Sequence, residues 1–142
     1  MADILLDISF GTANEPPMVH AAWFRQLTES LVRWNQAMLP RWNLPPLYTS
    51  GVRYIASKVQ RLPDAFAIKK QGFADCGPLA AWRAAELRAA GEPATVRIYW
   101  RPISGGQRLF HAQVRRADGR IEDPSRLLGM PTFPVIPQWL IP

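Results

Sequence analysis

The stretch Asp75-Cys76-Gly77-Pro78-Leu79-Ala80-Ala81-Trp82-Arg83-Ala84-Ala85-Glu86-Leu87-Arg88-Ala89-Ala90-Gly91 decides how this chain is read. Alanine, leucine, arginine and glutamate are good helix formers. Leu79, Ala80, Ala84, Leu87 and Ala90 fall on one broad helical face, with Arg88 directed away, and Gly91 supplies a C-terminal stop. The start has two readings. If Asp75 caps the helix, Cys76 is its first residue; if Pro78 takes the preferred first-turn position, Cys76 lies just outside. Either way the only cysteine of the chain sits at a helix N-terminus, where unpaired amides and the helix dipole favour negative charge. A thiol titrates at about 8.5 and needs such help to act as a nucleophile. Without partners, a sole cysteine reads equally well as a small buried hydrophobe.

Partners are found downstream. Ala94 to Trp100 reads as a strand from its Val96-Arg97-Ile98-Tyr99 content. Ser104-Gly105-Gly106 makes a turn, and Leu109 to Arg115 a second strand. In that strand Phe110, Ala112 and Val114 form an apolar face, whereas Leu109, His111 and Gln113 form the other, more polar one. Asp118-Gly119 is a hairpin signal leading into Ile121-Glu122-Asp123. A two-residue loop there places Glu122 on the face of His111; a three-residue loop with a glycine bulge shifts the register by one and places Asp123 there. Periodicity does not choose between the carboxylates. Cysteine, histidine and carboxylate in this order are the parts of a thiol-nucleophile triad.

Taken together, Asp75-Cys76, the helix exit Leu87-Arg88-Ala89-Ala90-Gly91-Glu92-Pro93-Ala94-Thr95-Val96, His111-Ala112-Gln113-Val114 and Asp123-Pro124-Ser125 resemble the transglutaminase-like (papain-like cysteine protease) superfamily core, over roughly residues 72–126. Leu47 to Tyr54 and Ala81 to Arg88 also resemble small proteins encoded in tailed-phage structural gene clusters. The resemblance implies an α+β fold in which a cysteine-bearing helix packs on a small antiparallel sheet. It implies Cys76 as nucleophile, His111 as general base and acid, and Asp123 as orienter, and so favours the three-residue loop. The chain departs from the phage pattern at Gly77-Pro78, where acidic residues are expected, and this alters the start of the helix. Gln71, just upstream, is a candidate oxyanion donor or a plain loop residue. Glu122 is the alternative orienting carboxylate, or a partner for Arg83 two turns along the helix.

Further out, Met18 to Leu39 reads as an N-terminal helix. Val19, Trp23, Leu27, Leu31, Trp34 and Met38 form its core stripe, and Pro40, Pro45 and Pro46 end it. Residues 40–71 read as a loop-rich approach with one short strand or helical turn. Residues 1–17 form an extended lead-in, and 131–142 a proline-rich strap with apolar residues to pack. The length of 142 residues fits one domain. One cysteine excludes an intramolecular disulfide, and the N-terminus lacks the pattern of a signal peptide. No stretch is long enough to cross a bilayer. A cytoplasm-made protein, incorporated in a virion if the phage resemblance holds, is expected.

The net charge of +6 is spread from Arg25 to Arg126 without a nucleic-acid-reading motif. Two histidines and one cysteine lack zinc-site spacing, and no phosphate loop, serine elbow or dinucleotide fingerprint is present. No cofactor is therefore expected. The sequence points to a thiol acyl-transfer enzyme acting on a peptide, a glutamine amide or a cell-wall crosslink. The other expectation is a non-catalytic virion subunit (head–tail connector, tail or capsid-associated) that binds phage structural proteins.

Overall fold

The computed structural model describes residues 17–57, 61–102 and 108–131. Apart from Pro17 and Pro131, the expected lead-in and strap lie outside the described residues, as does the Ser104-Gly105-Gly106 turn. Helix α1 (Pro17–Trp42) is followed by a single 3-10 turn at Leu47–Thr49, strand β1 (Arg53–Tyr54), helix α2 (Ala65–Gln71) and strand β2 (Phe73–Ala74). Then come helix α3 (Cys76–Ala89), strands β3 (Thr95–Pro102), β4 (Arg108–Arg115) and β5 (Ile121–Glu122), and helix α4 (Pro124–Leu127). The class is α+β. Strands β3, β4 and β5 form an antiparallel sheet in that order, while β1 and β2 make a separate parallel pair.

Helix α3 packs between α1 and β4. Its burial extends almost all round: Leu79, Ala80, Ala81, Trp82, Ala84 and Ala85 are closed to solvent. Small alanines on two sides let α1 and the sheet approach the same helix. Its C-terminus is a Schellman stop: Glu92 N–H donates to Leu87 O (2.9 Å), Gly91 N–H to Arg88 O (2.9 Å), and Gly91 sits at φ +92°. Two side-chain placements differ from expectation. Ala90 is exposed, and Arg88 does not point away: its guanidinium grips both oxygens of Glu29 on α1 (2.7 and 2.8 Å). The two-pronged geometry fits a planar fork to a carboxylate.

Helix α1 runs three residues beyond the expected end at Leu39. Pro40 lies in the last turn, where only one backbone hydrogen bond is forfeited. Carrying the helix on to Trp42 buries that indole against Trp34 and Phe66, which outweighs the loss. The core stripe is also rotated by about one residue. Phe24, Thr28, Leu31, Val32, Asn35 and Met38 are buried, whereas Trp23 is exposed. Loop-like composition between Pro45 and Phe73 hid α2, which Asp64 caps by accepting from Ala67 N–H (2.9 Å).

Candidate active site

The β4–β5 hairpin positions the carboxylate. Arg116 and Arg120 close a three-residue loop, Ala117-Asp118-Gly119, with Arg116 N–H donating to Arg120 O at 2.8 Å and Gly119 at φ +89°. Val114 then pairs with Glu122, which sets Asp123 opposite Gln113 on the face that also carries His111. The result is a hydrogen bond between His111 Nε2 and Asp123 Oδ2 of 2.8 Å. Gln113 Nε2 donates to the same oxygen (3.2 Å), and Arg97 Nη1 fixes the Gln113 amide by donating to its Oε1 (3.1 Å). Tyr99 meets the imidazole edge-on, with ring centroids 5.5 Å apart. Burial pushes the Asp123 carboxyl up, but the bonds from His111 and Gln113 hold it below the usual carboxylate range. An ionised Asp123 can only accept, so His111 Nε2 carries the hydrogen.

The end of β5 brings in the thiol. In an antiparallel ladder alternate residues turn both backbone groups toward one neighbour. The paired Arg116 and Arg120, and two residues on Val114 and Glu122, turn theirs toward each other, so the Ala112 N–H points to the place opposite Pro124. Asp123-Pro124 has already bent the chain into α4, and the Pro124 carbonyl accepts from Leu128 N–H (3.0 Å). The Ala112 amide instead lies by the Cys76 sulfur, where, like the Gly77 amide, it favours the thiolate. The sulfur thus lies against β4 at the residue next to His111.

Asp75 is the cap of α3, and Cys76 its first residue. Asp75 Oδ1 accepts from Cys76 N–H at 2.7 Å, and Oδ2 accepts from Ser57 N–H at 3.1 Å. Cys76 is 7% exposed; burial first, and then the Asp75 charge, push its thiol well above the ordinary range. The resting sulfur is a neutral thiol. Tyr54 completes the surroundings. It pairs with Ala74 just ahead of Asp75, and its N–H donates to Leu128 O at the end of α4 (2.9 Å). Burial, and then the charges nearby, Asp75 before Asp123, raise its hydroxyl to about 12, so it remains a neutral donor.

Gly77 explains how the helix start packs. A Cβ built there would stand 2.8 Å from the Phe24 ring, so glycine lets α1 close directly over the first turn of α3. Pro78 is buried beside it.

Of the other sequence-selected residues, Gln71 lines a cavity together with Asp75, and Glu122 is engaged elsewhere. Gln71 ends α2 instead of lying in a loop, and its amide donates to Phe73 O (2.6 Å). Glu122 turns away from His111 toward Arg83 Nε (2.5 Å) and Arg116 Nη1 (2.9 Å), and accepts from the Tyr48 hydroxyl. The Arg83 guanidinium lies over the Tyr48 ring, so this group ties α3, the hairpin and the 3-10 turn together. Sequence reasoning missed Tyr54, Gln113 and the second contact of Asp75. Gln113 was visible as the residue two beyond His111 on the same face; Tyr54 had no local signal. Among the described residues no group of three or more His, Cys, Asp or Glu is arranged to hold a metal ion, and no helix is long and apolar enough to cross a membrane.

A cavity of about 240 Å³ lies on the far side of Asp75, lined by Ile55, Ser57, Arg61, Phe73, Asp75 and Pro78. Compared by family model, by sequence with curated proteins and by fold with solved structures, the chain has no match.

Proposed function

We propose that the protein is a thiol acyl-transfer enzyme of transglutaminase-like type, with Cys76, His111 and Asp123 as its triad. The observation that carries this reading is the 2.8 Å His111–Asp123 bond, one residue along β4 from the Ala112 amide that lies by the Cys76 sulfur. Asp123 holds Nε2–H, so Nδ1 is the basic nitrogen. A neutral thiol suits this arrangement, because a general base can take the proton during attack, as it does from a serine hydroxyl. Sγ bonds to an amide carbonyl carbon as its proton passes to Nδ1. The resulting imidazolium, held by Asp123, returns that proton to the departing amine, leaving a thioester. Water then releases the acid, or a second amine forms a new amide. Candidate donors are a peptide bond, a glutamine carboxamide or a cell-wall crosslink.

The test is trapping of the acyl-enzyme with 4-nitrophenyl acetate and mass spectrometry. Acetyl-Cys76 is expected in the native protein, forming roughly a hundredfold more slowly in His111→Ala. Absence of the adduct, or equal rates in both proteins, overturns the reading.

A second reading has its own observation. The thiol is 7% exposed and its backbone N–H is already bonded by Asp75, while Ile55 and Phe73 are exposed side by side. This suits a non-catalytic virion subunit that keeps the fold for assembly with phage structural proteins. Sedimentation of the purified protein, alone and with such proteins, tests it: a monomer that binds none of them overturns this reading.

A further inference from the structure

One carboxylate occupies a backbone group that a thiol nucleophile depends on. In acyl transfer the backbone N–H of the nucleophilic residue is a ready donor to the developing oxyanion. Here the Cys76 N–H is bonded to Asp75 Oδ1 at 2.7 Å. Ser57 N–H, on the segment after β1, holds Oδ2 at 3.1 Å and so fixes the carboxylate in place. A substrate carbonyl cannot share that N–H with a resident anion, because two oxygens bearing negative charge would meet at one donor.

We propose that Asp75 is a built-in lock on Cys76: its carboxylate stands where the substrate oxyanion must go, and acyl transfer begins only when it swings away. This rests on the acyl-transfer reading of the site and adds its regulation. The cavity of about 240 Å³ on the other side of Asp75 gives the carboxylate a place to turn into. Arg61 lines that cavity together with Ser57 and Asp75, so the displaced anion meets a cation there. The groups around the thiol are otherwise Ala112 N–H from β4, Gly77 N–H of its own helix and Tyr54 from β1, none of which blocks the Cys76 amide. In the locked state the cysteine reacts slowly with electrophiles; unlocked, it gains a donor for the oxyanion and loses the adjacent negative charge.

Asp75→Asn separates the lock from the helix cap, because asparagine caps a helix as well as aspartate but carries no charge. The measurement is the second-order rate of Cys76 alkylation by iodoacetamide, followed by intact mass across pH 6 to 10 or so, in the wild type, Asp75→Asn and His111→Ala. Removing one adjacent charge lowers a thiol titration by roughly 1–2 units, so Asp75→Asn is expected to react about 10- to 100-fold faster at neutral pH, with its profile moved to lower pH. Asp75→Ser, a second uncharged cap, is expected to behave the same way and serves if Asp75→Asn does not fold. Rates in both variants equal to or below the wild-type rate overturn the lock. Acceleration in the Asp75 variants with no effect of His111→Ala leaves the lock standing and removes the triad. Slowing in His111→Ala with no acceleration at Asp75 does the reverse.

Discussion

At the scale of single residues, the candidate site is governed by what each polar group already touches. Asp123 Oδ2 serves His111 and Gln113, so Asp123→Asn would present an amide to Nε2–H and lose the partner of an imidazolium. Acyl transfer is expected to fall about 10²- to 10⁴-fold with the melting temperature little changed, measured as thioester formation alongside thermal unfolding. Cys76 makes a separate prediction about stability. Its folded thiol titrates well above the ordinary value, whereas the unfolded thiol ionises at about 8.5. The folded state therefore holds its proton more tightly, and the stability this contributes is complete below about pH 8.5 and declines as pH rises further. Between neutral pH and about 9.5 the wild type should lose roughly 1.4 kcal/mol more than Cys76→Ala. Urea titrations at the two pH values check this, and parallel losses would show that the thiol is not held neutral.

Individual elements carry the register and the close packing. The Ala117-Asp118-Gly119 loop decides which carboxylate faces His111. Inserting one residue between Arg120 and Ile121, with the loop and its Arg116–Arg120 closure kept, moves the following strand by one position. Glu122 would then take the place of Asp123, and the Arg83–Glu122 contact would be broken at the same time. The expected outcome is loss of the low-field Nε2–H proton resonance of His111, read by NMR at neutral pH. The start of α3 is equally specific. A methyl at Gly77 meets the buried Phe24 ring at 2.8 Å, so Gly77→Ala is expected to cost roughly 1–2 kcal/mol despite the better helix propensity of alanine. Gly77→Glu places a carboxylate between Phe24 and Leu62 and is expected to cost 3 kcal/mol or more by order of magnitude. Denaturant midpoints of the two variants rank the effects.

For the whole molecule, ionic contacts join elements that the core alone would leave less firmly aligned. Glu29 of α1 is held below the usual carboxylate range by its bonds to Arg88 of α3. Burial raises Glu122, but Arg83 and Tyr48 bring it below that range, and the same holds for Asp123 with His111 and Gln113. Groups depressed in this way contribute stability that is complete above their unfolded values of about 4 and is lost as pH falls through the folded ones. Acid unfolding should therefore begin below about pH 4. Glu122→Gln should weaken the neutral-pH protein by roughly 1–3 kcal/mol, because it leaves Arg83 and Arg116 without that anion. It should also flatten the acid limb, as calorimetry across that range would register.

By itself the sequence determined the helix from Cys76 to Ala89, its glycine stop, the two long strands and the face shared by His111 and Gln113, because these follow from local propensity and from periods of 3.6 and 2. Cysteine and histidine were legible from the same patterns, whereas Asp123 was favoured over Glu122 only by the family resemblance. What remained open turned on contacts between segments far apart in the chain. The cap could be read either way until Ser57 was seen to hold Asp75. Glu122 and Asp123 were equivalent until the loop length was fixed, and Tyr54 reached the site only through a strand pair with Ala74. The stripe of α1 slipped by about one residue because Phe24, not Trp23, is admitted by Gly77. A local pattern sets which way a side chain points along its own element; only packing sets what it meets there, and at Cys76 that is an anion on the residue before it.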